Sequence, residues 1–356
     1  MASQYQPTTT DKLLLIPVAA ASIGSAILRL LTRSFTGGAK ANTAFKDVIF
    51  AALRTNLSNI SEGAEQWMNS TTEAEYLTLA KKQGFQPDTD VLGSSLKVHW
   101  IGGKAASKVL LYFHGGGYVL AASAGHMQWL YELQQELSKT QEISIVVLSY
   151  TLAPHGQYPT QLKEAAESLE WLLETQKKQP GDIFVSGDSA GGNMALMLLS
   201  HLLHPHPAVT SKINLTSPLA GAVLISPWTK FATDDDSVRR NQSSDMVTPA
   251  AANRWSSLFL GSSKIDNYNQ TILVNPEWFK GLDSKVKDIL VWGGGGEVLI
   301  DSIEASTKKL QQAHPRVEYV VQPGAAHEDF IIDKLLGYKE KGEGTVVVES
   351  WMKTRL

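Results

Sequence analysis

The spacing of hydrophobic residues changes near residue 90. Before that point, "AFKDVIFAALRTNL" (44–57) and "TEAEYLTLAKKQG" (72–84) place apolar residues at a helical period and predict helices. From about residue 96, short apolar runs alternate with helical stretches. The predicted strands are 96–101, 109–113, 143–149, 182–186, 221–225, 288–292 and 317–321, and the predicted helices between them lie near 125–138, 160–176, 189–203 and 302–313.

This alternation predicts an α/β fold. Continuous apolar strands separated by helices indicate a mostly parallel central sheet that is flanked by helices on both faces. The interval between the strands at 221–225 and 288–292 is too long for a simple crossover, so we interpret it as an insertion over the carboxyl edge of the sheet. The predicted parts are an N-terminal helical cap region (1–90), a core (91–227 and 281–356) and a cap insertion (228–280).

Composition narrows the classes of partner. The chain has 356 residues, a formal net charge of −3 and a pI of about 6.3, so it lacks the basic excess that would favour nucleic acid. It has no cysteine, which excludes disulfides and thiolate chemistry and favours a reducing compartment. His201, His204 and His206 have metal-like spacing, but prolines interrupt them at a predicted surface helix end. We expect no metal and no cofactor.

One segment bears on localisation. Residues 13–28, "LLLIPVAAASIGSAIL", are uncharged between Lys12 and Arg29. The run is shorter than the roughly 20 residues of a membrane span, and no basic residue precedes Asp11 as a signal peptide would require. We favour an apolar helix packed over the protein and a cytoplasmic location, with membrane association as the alternative. Six glycosylation sequons keep a secretory route open, and they start at Asn56, Asn59, Asn69, Asn214, Asn241 and Asn269.

A serine lies between two glycines directly after a predicted strand. "GDSAG" (187–191) follows "DIFVS" and precedes an apolar helical stretch. The pattern G-x-S-x-G is typical of a sharp strand-to-helix turn that holds a nucleophile, because glycines two residues away avoid clashes with neighbouring chain. We therefore predict Ser189 as the nucleophile.

A glycine run upstream predicts a site for a developing oxyanion. His114 and three glycines follow the predicted strand at 109–113. Glycines let backbone N–H groups approach an oxyanion closely, and no phosphate-binding motif accompanies them. We assign the N–H groups of Gly116, Gly117 and Ala190 to the oxyanion hole, and leave Gly115 open.

The serine needs an acid and a base from later in the chain, in that order. "GGGGEVLID" after the strand at 288–292 offers Glu297 and Asp301. Glu297 comes first after the turn and is the predicted acid, whereas Asp301 is expected inside the next helix and the aspartates at 234–236 in a solvated loop. His327 follows the last predicted strand and is the predicted base. His314, the other histidine beyond Glu297, precedes a proline at a helix end.

Together these motifs resemble the hormone-sensitive-lipase-like (HGGG) branch of the α/β-hydrolase family, in a fungal-type form. The resemblance covers about 96–330 and includes "LSYTLAPHGQYP", "LISPWTKF" and "SDMVTPAAANRW". It implies an α/β-hydrolase fold with a two-part helical cap, and Ser189, Glu297 and His327 as a catalytic triad. Thr151 stands where the family usually has Arg, so the ion pair of that Arg is expected to be lost. Glu297 stands where Asp is commoner.

The resemblance implies a serine carboxylesterase that acts on a small to medium apolar ester, with a secondary metabolite as one substrate class. Two alternatives remain: an acyltransferase or condensation or cyclisation catalyst at the same site, and a non-catalytic binding protein. The oligomeric state is not predicted. Four tryptophans are candidates for lining an apolar pocket, although core packing explains them equally well: Trp67, Trp228, Trp255 and Trp278.

Overall fold

A computed structural model describes residues 6–356 and contains one eight-stranded sheet in that range. The strand order across the sheet is β1-β2-β4-β3-β5-β6-β7-β8. The strands are β1 (Asp88–Val91), β2 (Lys97–Ile101), β3 (Lys108–Phe113), β4 (Ile143–Ser149), β5 (Ile183–Asp188), β6 (Gly221–Ile225), β7 (Ile289–Gly294) and β8 (Val317–Gln322). Six strands that are adjacent in the sheet, β4, β3, β5, β6, β7 and β8, run parallel to one another. At one edge β2 pairs antiparallel with β4, and β1 pairs antiparallel with β2. The predicted mostly parallel α/β sheet is confirmed.

Helices cover the sheet and extend beyond its edge. The α-helices are α1 (Thr9–Thr32), α2 (Ala44–Asn59), α3 (Glu62–Met68), α4 (Thr72–Gln83), α5 (Ala124–Leu137), α6 (Thr160–Glu174), α7 (Ala190–Leu203), α8 (Asp236–Asn241), α9 (Pro249–Leu260), α10 (Ile300–Ala313), α11 (Asp329–Leu335) and α12 (Glu343–Lys353). The sequence did not predict β1, α8, α11 or α12. β1 is a polar edge strand of four residues, and α8 and α11 are too short for a clear period.

The two faces of the sheet bury separate clusters. Along β3, Val109, Leu111 and Phe113 contribute to the cluster that includes α6 and α7, while Leu110 and Tyr112 contribute to the cluster that includes α5 and α12. This division follows from the alternation of side chains along a strand. Helix α7 is buried from its first residue to His201. His201 was predicted at a surface helix end, and this prediction is wrong because the residue is buried.

The N-terminal helices and the segment between β6 and β7 lie next to each other. Arg54 on α2 donates to the carbonyl of Asp245 at 2.7 Å, and Ser58 shares a hydrogen bond with Thr248 at 3.1 Å. Arg254 on α9 donates to the carbonyl of Leu57 at 3.0 Å. Hydrogen bonds from side chains therefore join the two regions that the sequence assigns to the cap, while the exact domain bounds stay a prediction.

Helix α1 packs along α2 but leaves most of its apolar surface exposed. Of its residues only Val18 and Ser22 are buried. The exposed apolar side chains are Leu13, Leu14, Ile16, Ile23, Ile27, Leu28, Leu30 and Leu31. Within the described chain it is the one helix long and apolar enough to cross a membrane, a test that signal sequences also pass. The expected packing over the protein thus covers one face of α1, and membrane association stays the alternative.

A buried carboxylate fastens α1 to the rest of the molecule. Asp47 on α2 has no exposed side-chain surface and accepts from Arg29 at 2.7 and 3.0 Å. Arg33 lies 3.0 Å from the same carboxylate, and the N–H of Ala41 donates to it at 3.1 Å. Burial would raise the pKa of Asp47, but the bonds from Arg29 and Ala41 and the two positive charges lower it overall.

Asp47→Asn is expected to lower the free energy of unfolding by about 3 kcal/mol, because it leaves two arginines without their carboxylate. Urea denaturation at pH 7 measures this loss. Asp236→Asn is the matched control, since its pair with Arg239 is mostly exposed and such pairs contribute about 0–1 kcal/mol. The stabilisation by Asp47 should also fall away as the pH drops through its lowered pKa. Equal losses in the two variants would contradict the assignment.

Candidate active site

Ser189 lies at the sharp turn between β5 and α7. Its backbone has φ 49° and ψ −114°, a conformation that residues other than glycine rarely adopt. A Cβ at Gly187 would overlap the carbonyl of Gly191, and a Cβ at Gly191 would overlap the carbonyl of Phe113 at the end of β3. The two glycines are therefore required because three chain segments meet here at backbone distance.

Glu297 and His327 form a buried pair. Nδ1 of His327 lies 2.6 Å from Oε2 of Glu297, and both side chains are almost fully buried. Oε1 of Glu297 accepts from the N–H of Gly294 at 2.7 Å and from the hydroxyl of Ser226 at 3.1 Å. Since the carboxylate accepts a hydrogen bond from Nδ1–H, Nε2 of the neutral imidazole keeps a free lone pair.

Hydrogen bonds connect the serine turn to this pair through β6. The N–H of Ser189 donates to the carbonyl of Ile225 at 2.9 Å. The next residue, Ser226, donates to Glu297 and accepts from the N–H of Glu328 at 3.4 Å. Within residues 6–356, Ser189 Oγ and His327 form no direct hydrogen bond with each other. Such bonds often close only when substrate is present.

The charge of Glu297 changes the proton affinity of His327. Burial alone would lower the pKa of His327, but the hydrogen bond to Glu297 and the negative charges of Glu297 and Asp245 raise it above 6.5. A base whose pKa lies near the working pH can take a proton from a hydroxyl group and return it to a leaving group.

Three backbone N–H groups are available for the predicted oxyanion hole. Gly116 and Gly117 have φ of 102° and 61°, so the loop depends on glycine. In the described chain, the N–H groups of Gly116, Gly117 and Ala190 donate to no protein acceptor, as an oxyanion hole requires. The N–H of Gly115 donates to Asp188 Oδ2 at 2.9 Å. The N–H of Gly115, whose place in the oxyanion hole was left open, is thus already engaged by Asp188.

The cap supports the oxyanion loop. The ring of Trp255 on α9 lies where a Cβ of Gly117 would be, and its Nε1 donates to Glu65 on α3 at 3.2 Å. Arg254 donates to the same carboxylate at 3.2 Å. Gln66 donates to the carbonyls of Val119 and Ala153 at 2.8 and 2.7 Å. Side chains from both cap regions therefore fix the loop that carries the predicted hole.

Sequence reasoning missed Asp245, which lies in the cap segment. This buried carboxylate accepts from the N–H groups of Met246 and Val298 at 2.7 Å each and from the N–H of His327 at 3.3 Å. It therefore links the loops that carry Glu297 and His327. The segment "SDMVTP" was noted for its resemblance, but nothing in it signalled a contact with residues so distant in sequence.

Other predicted residues lie elsewhere. Asp301 is in α10, as expected, and its carboxylate bonds the N–H of Ser237 and Arg240 at 2.7 Å each. Asp234 is exposed and pairs with Lys230. In place of the expected family ion pair, Thr151 donates its N–H and hydroxyl to Glu164 at 2.8 and 2.5 Å.

The four tryptophans divide into two groups. The backbone N–H of Trp228 donates to the carbonyl of Ser189 at 2.9 Å, but its ring packs on Phe231, whereas the ring of Trp255 lies against Gly117. Trp67 is 44% exposed with Lys12 over its ring, and Trp278 packs on His204. Trp255 therefore remains a candidate for the pocket, because its ring contacts the glycine loop.

Comparison with known proteins identifies the family. A family model described as "alpha/beta hydrolase fold" matches residues 110–331, which is more than half of the chain. The chain belongs to the α/β-hydrolase family. The matched range contains the serine turn, Glu297, His327 and the glycine loop.

Relatives of this α/β-hydrolase carry esterase names. It is 26% identical over 226 residues to the carboxylesterase/phospholipase LipF of Mycobacterium tuberculosis, with 62% of this chain and 56% of that protein covered. It is 25% identical over 257 residues to the ethyl acetate hydrolase of Pseudomonas putida, with 70% and 74% covered. The chain spans about half the length of the first curated relatives it matches. Both relatives named here are bacterial, so a fungal type is not supported.

Solved structures show the same fold. A crystal structure of an esterase from the bacterial hormone-sensitive lipase family superposes with a TM-score of 0.62 at 21% identity. The alignment covers 95% of this chain and 98% of that one. At this identity the likeness supports the α/β-hydrolase fold, including the N-terminal helices that lie outside the family match.

Glu297→Gln is expected to lower kcat by about 10⁴-fold, because an amide no longer fixes the Nδ1–H tautomer of His327 or stabilises the imidazolium. Steady-state hydrolysis of a p-nitrophenyl ester measures the loss. Asp301→Asn, four residues along the chain on α10, is the control and should stay within about threefold of the wild type. Comparable losses in both variants would rule out the assignment of Glu297.

The fall of kcat/KM at low pH should follow the protonation of His327. Its pKa is raised above 6.5, and only the neutral imidazole can act as base, so activity should fall as the pH drops through a midpoint above 6.5. Initial rates between pH 5 and 9 measure the midpoint. A midpoint clearly below 6.5 would show that Glu297 does not stabilise the charged imidazole in solution.

Proposed function

We propose that this α/β-hydrolase is a serine carboxylesterase that works through an acyl-enzyme. The observation that carries the proposal is the buried Glu297–His327 bond, which leaves Nε2 free to act as a base, together with a serine held on a strained turn. Three N–H groups without a protein acceptor, on the glycine loop and at the start of α7, support it. The esterase names of the relatives point to the same reaction class.

In this mechanism His327 Nε2 takes the proton of Ser189 Oγ as the oxygen attacks the ester carbonyl. The N–H groups of Gly116, Gly117 and Ala190 stabilise the oxyanion of the tetrahedral intermediate. His327 then donates its proton to the departing alcohol, which leaves an acyl group on Ser189. Water attacks the acyl-enzyme with His327 again as base, and the carboxylic acid is released.

We further propose short apolar acyl groups as substrates. Ser189 is only 7% exposed, and the ring of Trp255 lies against Gly117 in the proposed oxyanion hole. A large ring so close to the glycine loop leaves little room for a long acyl chain. The ethyl acetate hydrolase among the relatives is named for a small ester, which supports the same size class.

Ser189→Ala is expected to abolish ester turnover and covalent labelling by a fluorophosphonate, because both need the hydroxyl as nucleophile. Intact-mass spectrometry detects the label and a chromogenic acetate ester reports turnover. Ser94→Ala, which removes an exposed serine, is the control and should keep both. Turnover at the wild-type rate without Ser189 would refute the acyl-enzyme. Labelling without turnover of any ester would favour a binding role.

Trp255→Ala should shift preference toward longer acyl chains, because it removes the ring beside Gly117. The measurement is the ratio of kcat/KM for octanoyl and acetyl p-nitrophenyl esters. This ratio is expected to rise about tenfold, which is the effect that one well-packed group in a hydrophobic pocket has on substrate preference. Trp278→Ala removes a ring that packs on His204, away from the site, and should leave the ratio unchanged. A ratio that changes equally in both variants would contradict the proposed pocket.

A further inference from the structure

Two buried carboxyl groups flank the proposed nucleophile and base. Asp188 directly precedes Ser189, and Glu328 directly follows His327. Oxygens of the two side chains and Nε2 of His126 all lie within 4.8 Å of one another, and the three residues are buried. Neither carboxyl group has a role in the mechanism above. Two negative charges this close in a buried site would repel each other strongly.

Hydrogen-bond donors surround Asp188. Oδ2 accepts from the N–H of Gly115 at 2.9 Å and lies 3.0 Å from Nε2 of His126, while Oδ1 accepts from the hydroxyl of Tyr112. Nδ1 of His126 accepts from the N–H of Ser123 at 3.1 Å, so its Nε2 carries the hydrogen that points at Asp188.

Glu328 has the opposite surroundings. Within the described residues its Oε1 is buried without any donor, and it lies 3.5 Å from Nε2 of His327. A Cβ on Gly115 would come within 2.5 Å of this oxygen, so the oxyanion loop packs directly on it. The backbone of Glu328 has φ 52°, a left-handed conformation that a residue other than glycine adopts at a cost. The surroundings of the Glu328 side chain thus disfavour its ionised form.

We propose that Asp188 and Glu328 share one proton, and that this carboxyl–carboxylate bridge holds the His327 loop against the Ser189 turn. Asp188 is the ionised partner because three donors point at it, and Glu328 is the neutral acid that donates the fourth hydrogen bond. The bridge joins the neighbour of the base to the neighbour of the nucleophile. Glu328 is a positioning residue, and its part in catalysis rests on the proposed function.

The proton affinities agree with this geometry. Burial and the charge of Asp188 raise the pKa of Glu328 well above its usual range. Burial would raise the pKa of Asp188 too, but His126, Glu328 and Tyr112 lower it overall. The other titratable groups near the bridge come from several elements and are His114, Tyr150, Asp245, Glu297 and His327.

The protonated Glu328 can be detected without measuring activity. Between the ordinary pKa of a glutamate and the raised one, the native protein holds a proton that the unfolded chain has released. The free energy of unfolding of the wild type must therefore fall with rising pH relative to that of Glu328→Gln, with a slope of about one proton. Urea denaturation of both proteins from pH 6 to pH 9 measures the slope. Glu277→Gln, an exposed glutamate, should show none.

Activity provides a second readout. Glu328→Leu removes the donor to Asp188 and should lower kcat about tenfold, the size expected for a hydrogen bond to a charged group. Glu328→Gln keeps an N–H donor of the same shape and should restore most of that loss. It should also leave the acid limb of His327 in place, whereas removal of an ionised Glu328 would lower that midpoint by about one pH unit or more.

The outcomes separate the two proposals. A zero slope between wild type and Glu328→Gln, or a lowered His327 midpoint, would overturn the shared proton even if the protein is an esterase. A slope of one proton with no ester turnover in the wild type would support the bridge and refute the proposed function. If Glu328→Leu does not fold, the isosteric Glu328→Gln alone still decides through the unfolding slope.

Discussion

The close approach of backbone segments at the serine turn is the constraint on which the rest of the site depends. The start of α7 lies so near the end of β3 that a side chain at Gly191 would overlap the carbonyl of Phe113. A Cβ at Gly191 would also lie 2.7 Å from the carbonyl oxygen of His114, so the start of α7 packs against the loop that follows β3. A nucleophile and an oxyanion hole can share one site because the parallel sheet ends both strands at the same edge.

The cap is part of this arrangement rather than a separate cover. Glu65 and Gln66 on α3 and Trp255 on α9 contact the oxyanion loop or each other across it. Asp245, from the segment between β6 and β7, bonds the backbone of His327. These contacts connect the predicted cap regions directly to the loops that carry Gly117 and His327.

The electrostatics of the site follow from burial. Glu297, Asp188, Asp245 and Glu328 are all nearly inaccessible to solvent, and each would cost several kcal/mol as an isolated charge. Glu297 is stabilised by His327, Asp188 by the donors around it and Asp245 by backbone N–H groups. Glu328 has none of these, and neutrality is the state that remains for it. One fold thus keeps similar carboxyl groups in different protonation states through their local donors.

The sequence alone determined the features that depend on local pattern, namely the parallel sheet, the serine turn and the glycine loop, because strand ends and glycine spacing can be read from consecutive residues. The order of residues along the chain then selected Glu297 and His327. Tertiary structure alone decided which helix faces remain exposed on α1 and that Asp245, Ser226 and Glu328 contact the residues around Glu297 and His327. Those contacts join residues up to about a hundred positions apart. Local periodicity carries no information on such pairs, since they are set by how the sheet and cap pack together.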